Sequence, residues 1–147
     1  GFTGRLACEY LVSRGPAGLR WAMAGRSMAK LEQLRQELPE SAGSVPLLEV
    51  DVRSEEQLQS MAARTKVVLN YAGTPYTDKA LPVVAACAQA GCNYIDITGE
   101  VNFMKSSMDA YDQQAKSTGA LIIHACGFDS IPSDLGSMLA ANAMRKQ

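Results

Sequence analysis

Two glycines three residues apart, in Gly1-Phe2-Thr3-Gly4, run directly into an apolar, helix-like stretch carrying Leu6, Ala7, Tyr10 and Leu11. That spacing matches the back half of a G-x-x-G-x-x-G loop, where the backbone approaches a pyrophosphate and a helix N-terminus offers unpaired N–H groups. Gly1, Phe2, Thr3 and Gly4 are therefore candidate phosphate-binding positions; the plainer alternative is a tight turn into a helix. Such a loop needs a preceding β-strand and a first glycine, and neither stands ahead of Gly1. The expectation is a nucleotide-binding unit lacking its first strand.

The remaining candidates fall where apolar runs end. Gly25-Arg26-Ser27 closes one such run, with Lys30 a helical turn later. An NAD site places an acid there for the ribose 2′-hydroxyl, whereas a 2′-phosphate is better met by Arg. Arg26 supplies a planar fork of donors and Ser27 a hydroxyl, so NADP(H) is expected over NAD(H). The competing readings are an exposed cation for Arg26 and a solvated helix face for Lys30. Asp51-Val52 ends the next run, where a carboxylate and the following N–H meet adenine; a turn or helix-entry role before Ser54 fits equally well. Asn70-Tyr71-Ala72-Gly73 falls beside the nicotinamide side, making Asn70, Ala72 and Gly73 candidate cofactor contacts and Tyr71 a packing residue.

Glu100 and Asp129 are the carboxylates at later strand ends that could orient a donor or accept a proton. Starting a helix is the stronger reading of both. His124, in Ile122-Ile123-His124-Ala125, reads as a strand histidine satisfied by a neighbour. No catalytic residue is assigned. Tyr76 and Lys79, and Tyr111 and Lys116, miss the Tyr-x-x-x-Lys spacing of a short-chain dehydrogenase, and no Gly-x-Ser-x-Gly elbow or Walker lysine occurs. Cys8, Cys87, Cys92 and Cys126 form no C-x-x-C pair and there is one histidine, so no metal site is expected. Cys87 and Cys126 read as buried free thiols.

The elements that must position these residues alternate along the chain. Helices are expected over 4–13, from Ser27 to Pro39, from the Ser54-Glu55-Glu56-Gln57 capping box through Leu58 and Met61, and over 82–90, 101–117 and 131–144. Strands are expected over 19–24, 45–50, 66–69, 94–97 and 121–125. Short apolar strands between helices predict an α/β, doubly wound, mostly parallel Rossmann-type sheet covered on both faces, and one domain over residues 1–147. Hydrophobic residues at 47% and charged residues at 20% fit a globular chain, and a net charge of -1 without a basic block argues against nucleic acid. No secretory signal or apolar run near the ~18 residues of a membrane span is present, so a cytoplasmic location is expected.

Several of these segments together resemble the saccharopine dehydrogenase-like oxidoreductases. They are Gly1-Phe2-Thr3-Gly4-Arg5, Ala24-Gly25-Arg26-Ser27, Val83-Val84-Ala85-Ala86-Cys87, Tyr94-Ile95-Asp96-Ile97-Thr98-Gly99-Glu100, and the long stretch from His124 through Cys126-Gly127-Phe128-Asp129-Ser130 to Gly136. The nearer branch is that of the eukaryotic saccharopine dehydrogenase-like protein and the bacterial trans-acting enoyl reductases. The resemblance implies an NADP-binding domain followed by a substrate domain. It also implies hydride transfer to a carbonyl or enoyl substrate, with a lipid-linked one among those expected, and peripheral association with membranes or lipid droplets. Gly73-Thr74-Pro75-Tyr76 departs from the family's Gly-Pro-Tyr by one inserted Thr. A non-catalytic dinucleotide-binding or lipid-surface scaffold is the alternative, since fold alone does not establish activity. The missing strand belongs at the sheet centre, so these 147 residues alone are expected to be unstable and inactive.

Overall fold

The computed structural model describes residues 1–72 and 75–145. Helix α1 spans Phe2–Arg14 and is followed by strand β1, Met23–Gly25, and helix α2, Met28–Glu37. A single 3-10 turn, Glu40–Ala42, leads to β2, Leu47–Glu49, α3, Glu55–Ala62, and β3, Val67–Asn70. Then come α4, Tyr76–Lys79, α5, Leu81–Ala90, β4, Asn93–Asp96, α6, Val101–Thr118, β5, Ile122–Ile123, and α7, Ile131–Met144.

Local chemistry explains most of these boundaries. Ser27 and Ser54 cap α2 and α3, their hydroxyls accepting the N–H groups of Lys30 at 3.5 Å and Gln57 at 3.4 Å. The capping box forms only by half, because the Gln57 side chain accepts the N–H of Asp51 at 2.7 Å instead of reaching back to Ser54. Pro82 lies in the first turn of α5, where its missing N–H matters least. Gly91 ends α5 in the left-handed region at φ 68°, and a Cβ there would stand 3.0 Å from the Thr118 carbonyl oxygen.

All strand pairs are parallel, as the alternation predicts, but they fall into two sheets. β1 pairs with β2, Gly25 opposite Glu49, while β3, β4 and β5 form a three-stranded sheet. Among the described residues, neither β1 nor β3 pairs with any further strand. Expected strands 19–24 and 121–125 shorten to three and two residues, and α4 appears where no element was expected. A four-residue helix offers too little periodicity to show in sequence.

The larger core lies on one face of the three-stranded sheet. Register aligns Val68, Tyr94 and Ile122 there, and α3, α5 and α6 cover them with Leu58, Val84, Cys87 and Phe103. The opposite face, with Leu69 and Ile123, is exposed. Expected cover on both faces is thus not found among the described residues: α5 and α6 pack together on one side, and α7 buries none of its residues. A smaller core joins Met23, Leu31, Leu38, Ala42 and Val45, with Cys8 and Val12 of α1 packed against it.

Gly91→Ala should force an L-residue into the left-handed region against the Thr118 carbonyl. The expected loss is roughly 1–2 kcal/mol, seen as a lower urea midpoint of the full-length protein with unchanged slope.

Candidate functional site

The C-terminal ends of the strands gather the unusual side chains, as a parallel α/β sheet requires. At the β1–β2 end, Arg26 is exposed and Ser27 is engaged as the α2 cap. Lys30 is exposed on α2. The Ser27 hydroxyl accepts from Lys30 and still has its own proton to donate. Asp51 follows β2, and both its carboxylate oxygens are taken up by Arg53, Oδ1 by Nε at 3.1 Å and Oδ2 by Nη2 at 2.7 Å. Its Oδ1 also accepts the Arg53 backbone N–H at 3.0 Å, closing a turn. The Arg53 side-chain and backbone hydrogen bonds, aided by the charges of Arg53 and Arg26, hold the Asp51 carboxyl at about 2. Val52 packs against the larger core.

Helix α1 begins without a side-chain cap or an acid in its first turn. Gly1, Phe2 and Thr3 are exposed, so the backbone donors there are open to a ligand. Gly4 faces Tyr71: a Cβ would meet the Tyr71 Cβ at 3.8 Å, an ordinary contact. Tyr71 is thus a packing partner of α1, and its partial burial pushes the phenol pKa up.

The β3–β5 end is built differently, from a buried polar network. Asn70 accepts the Ala72 N–H at 2.9 Å and donates to the Tyr94 hydroxyl at 2.9 Å, while its own carbonyl accepts from Tyr76 Oη at 3.2 Å. The Asn70 side chain and the Ala72 N–H are therefore engaged within the protein and shape the loop after β3. Gly73 and the inserted Thr74 lie outside the described residues.

Asp96, at the end of β4, is fully buried. Its Oδ1 accepts the N–H groups of Thr98 at 3.0 Å and Ala125 at 3.1 Å, and its Oδ2 lies 2.7 Å from His124 Nδ1. His124 Nε2 lies 2.9 Å from Ser107 Oγ, inside α6. Burial pushes the Asp96 carboxyl up, but the His124 hydrogen bond, the two N–H groups and the His124 charge hold it below the usual carboxylate range. With Asp96 ionised and accepting only, His124 carries its proton on Nδ1. Ser107, His124 and Asp96 occur in the order of an acyl-transfer triad, yet Ser107 is 2% exposed and the His124 ring packs edge-on against Phe103 and Tyr94. A substrate carbonyl has no path to that hydroxyl, and the three residues act as a structural relay.

His124 follows β5 and has the satisfying neighbour that the sequence suggested. Asp96 and Ser107 were not singled out, because their partner lies 28 and 17 residues away and no local period marks them. Glu100 begins α6, as expected of an acid at that position, but its carboxylate serves another helix. It accepts the N–H groups of Tyr76 at 2.8 Å and Thr77 at 3.1 Å, at the start of α4, and these bonds lower its pKa. Asp129 is exposed and lines an open cleft of about 750 Å³ with Ile123, His124, Cys126, Ile131 and Leu135. Among the described residues no cluster of His, Cys, Asp or Glu could hold a metal ion, and no helix is long and apolar enough to cross a membrane.

A family model described as the saccharopine dehydrogenase NADP binding domain matches residues 1–123. A trans-acting enoyl reductase of Mycobacterium tuberculosis is 50% identical over 135 residues, covering 92% of this chain and 32% of that protein. One of Mycobacterium ulcerans is 47% identical over 135 residues, with the same coverage. A second M. tuberculosis protein, bearing this activity in its name as a provisional assignment, is 49% identical over 146 residues, or 99% of this chain and 34% of its own length. The chain thus spans about a third of the relatives it matches. Among solved structures, the apo saccharopine dehydrogenase (L-Glu forming) of Saccharomyces cerevisiae superposes with a TM-score of 0.70 at 16% identity, over 88% of this chain and 26% of that one. At that identity it attests the fold alone. The segment from His124 to Gly136 lies beyond the family-model match but within the 146-residue alignment.

Asp96→Ala, which strands His124 and two backbone N–H groups, should destabilise the protein by about 3–5 kcal/mol; Asp96→Asn, which keeps an acceptor, should lose less. Because the folded-state pKa is depressed, wild-type stability from this carboxylate is present above the unfolded-state value and is lost as pH falls through the folded one. Urea midpoints measured from pH 7 downward should therefore drop for wild type more steeply than for Asp96→Asn.

Proposed function

We propose that this chain, which belongs to the family of saccharopine dehydrogenase NADP-binding domains, holds NADP(H) for an oxidoreductase that reduces a carbonyl or enoyl group. The observation that carries the reading is the β1–β2 end, where an exposed Arg26 and the Ser27 hydroxyl stand where an acid would select NAD. The uncapped start of α1 fits the pyrophosphate, with Gly1, Phe2, Thr3 and Gly4 nearest to it. Asp51 and Val52 flank the adenine side, and Lys30 adds positive charge near the 2′-phosphate. Asn70 and Ala72 set the loop on the nicotinamide side, with Gly73 following them. When bound, the cofactor supplies the hydride; this chain binds it, orients it and keeps the crevice wall in place.

The relatives named as trans-acting enoyl reductases support an enoyl substrate, and a lipid-linked one with peripheral membrane or lipid-droplet contact is the finer form of the proposal. The cleft beside His124 and Cys126 lies on the side where a substrate would meet the nicotinamide. The scaffold reading draws support from one observation: Glu100 is bound to α4 and Asp96 is buried, which leaves Asp129 as the candidate carboxylate that lines the cleft. Turnover of an enoyl thioester by the full-length protein with NADPH separates the two.

The full-length protein should bind NADPH more tightly than NADH. Arg26→Ala should weaken NADPH by roughly tenfold or more through loss of charge-assisted hydrogen bonds and leave NADH nearly unchanged, as fluorescence titration would show. An unaltered preference would remove Arg26 from the 2′-phosphate site.

A further inference from the structure

The Asp51–Arg53 pair is more than a surface ion pair, because of where it stands. β1 and β2 run side by side in register, Gly25 opposite Glu49, and the Val50 N–H reaches the Gly25 carbonyl at 2.9 Å. Arg26 and Asp51 therefore leave adjacent strands at the same end of the sheet. The Asp51 backbone is fixed there: its N–H binds Gln57 Oε1 at 2.7 Å and its carbonyl accepts the Ser54 N–H at 2.9 Å. The register keeps its carboxylate at the strand end that Arg26 also leaves, where the Arg26 charge makes a small contribution to holding it ionised.

An unpaired carboxylate at that position would act against the chemistry assigned to Arg26. It would compete with the ligand for the guanidinium and repel a 2′-phosphate. Arg53 meets it with a fork of two side-chain bonds, Nε to Oδ1 and Nη2 to Oδ2, from a position that is itself largely exposed. With that pair formed, the Asp51 charge is offset and no longer competes for Arg26; Glu49, opposite Gly25, is a further exposed acid at this strand end and Lys30 a further exposed cation. We infer that Arg53 determines cofactor specificity indirectly, by neutralising Asp51 so that Arg26 stays available to the 2′-phosphate. The inference rests on the reading of Arg26 given above.

A double-mutant cycle in the full-length protein tests it, using NADPH and NADH titrations at low and high salt. Arg53→Gln should raise the NADPH Kd by about three- to tenfold at low salt and leave the NADH Kd within about twofold. The loss should shrink at high salt, as an effect of exposed charges must. In the Asp51→Asn background, whatever that change does to binding by itself, adding Arg53→Gln should alter the NADPH Kd by less than about twofold, because no carboxylate charge is then left to neutralise. Two results would overturn the inference: an unchanged NADPH-to-NADH ratio in Arg53→Gln, or an Arg53→Gln effect as large in the Asp51→Asn background as in the wild type. The wild type and Arg26→Ala, titrated in the same series, report separately on Arg26. A missing wild-type preference condemns that reading, whereas a preference lost in Arg26→Ala but kept in Arg53→Gln condemns only this inference.

Discussion

The arrangement of the three-stranded sheet's active end depends on one buried carboxylate. Asp96 closes β4, and its side chain holds the N–H of Thr98 in its own loop together with the N–H of Ala125 and the ring of His124 from the segment after β5. Its backbone carbonyl adds a third loop contact, accepting the Cys126 N–H at 2.8 Å. A buried charge persists only when it is paired and hydrogen-bonded, and here the partners are the loops that must be fixed. The price is visible at Ala125, which adopts φ 58° without being glycine. The Asp96 bond to its N–H holds that residue in a region L-residues avoid.

From this constraint follows a crevice with two unlike halves. At the β3–β5 end, Asn70, Tyr94, Asp96 and Ser107 are buried and His124 is part-buried at the edge of the cleft, and their hydrogen bonds to one another and to backbone hold the loops there. At the β1–β2 end, Arg26, Lys30 and Arg53 are exposed and charged, with little burial to fix them. Rigid positioning suits a site that must hold a reacting group in place. Exposed charge suits recognition of a phosphate that keeps much of its water.

How much of this was legible in the sequence depended on the range of the interaction. Ser27 and Ser54 were readable as caps because cap and recipient lie within one turn. Gly91 was readable as a helix stop for the same reason, and the helix–strand alternation gave the parallel pairing. The acid-free end of β1, with Arg26, pointed to the cofactor that the family match supports. No local pattern marks Asp96, since its role is created by residues far along the chain. Glu100 was placed correctly at a helix start, but its carboxylate turned to α4, a helix too short to foresee. The open face of Leu69 and Ile123 was also illegible: their apolar character reads as core whether or not a helix arrives to cover them.

The central claim is that Arg26 and the start of α1 receive the two phosphate-bearing ends of NADP(H). A crystal structure of the full-length protein with NADP+ tests it most directly. The account predicts the 2′-phosphate within hydrogen-bond distance of the Arg26 guanidinium and the pyrophosphate on the N–H groups of Phe2, Thr3 and Gly4. A 2′-phosphate turned to solvent away from Arg26, or a pyrophosphate held elsewhere, would contradict it.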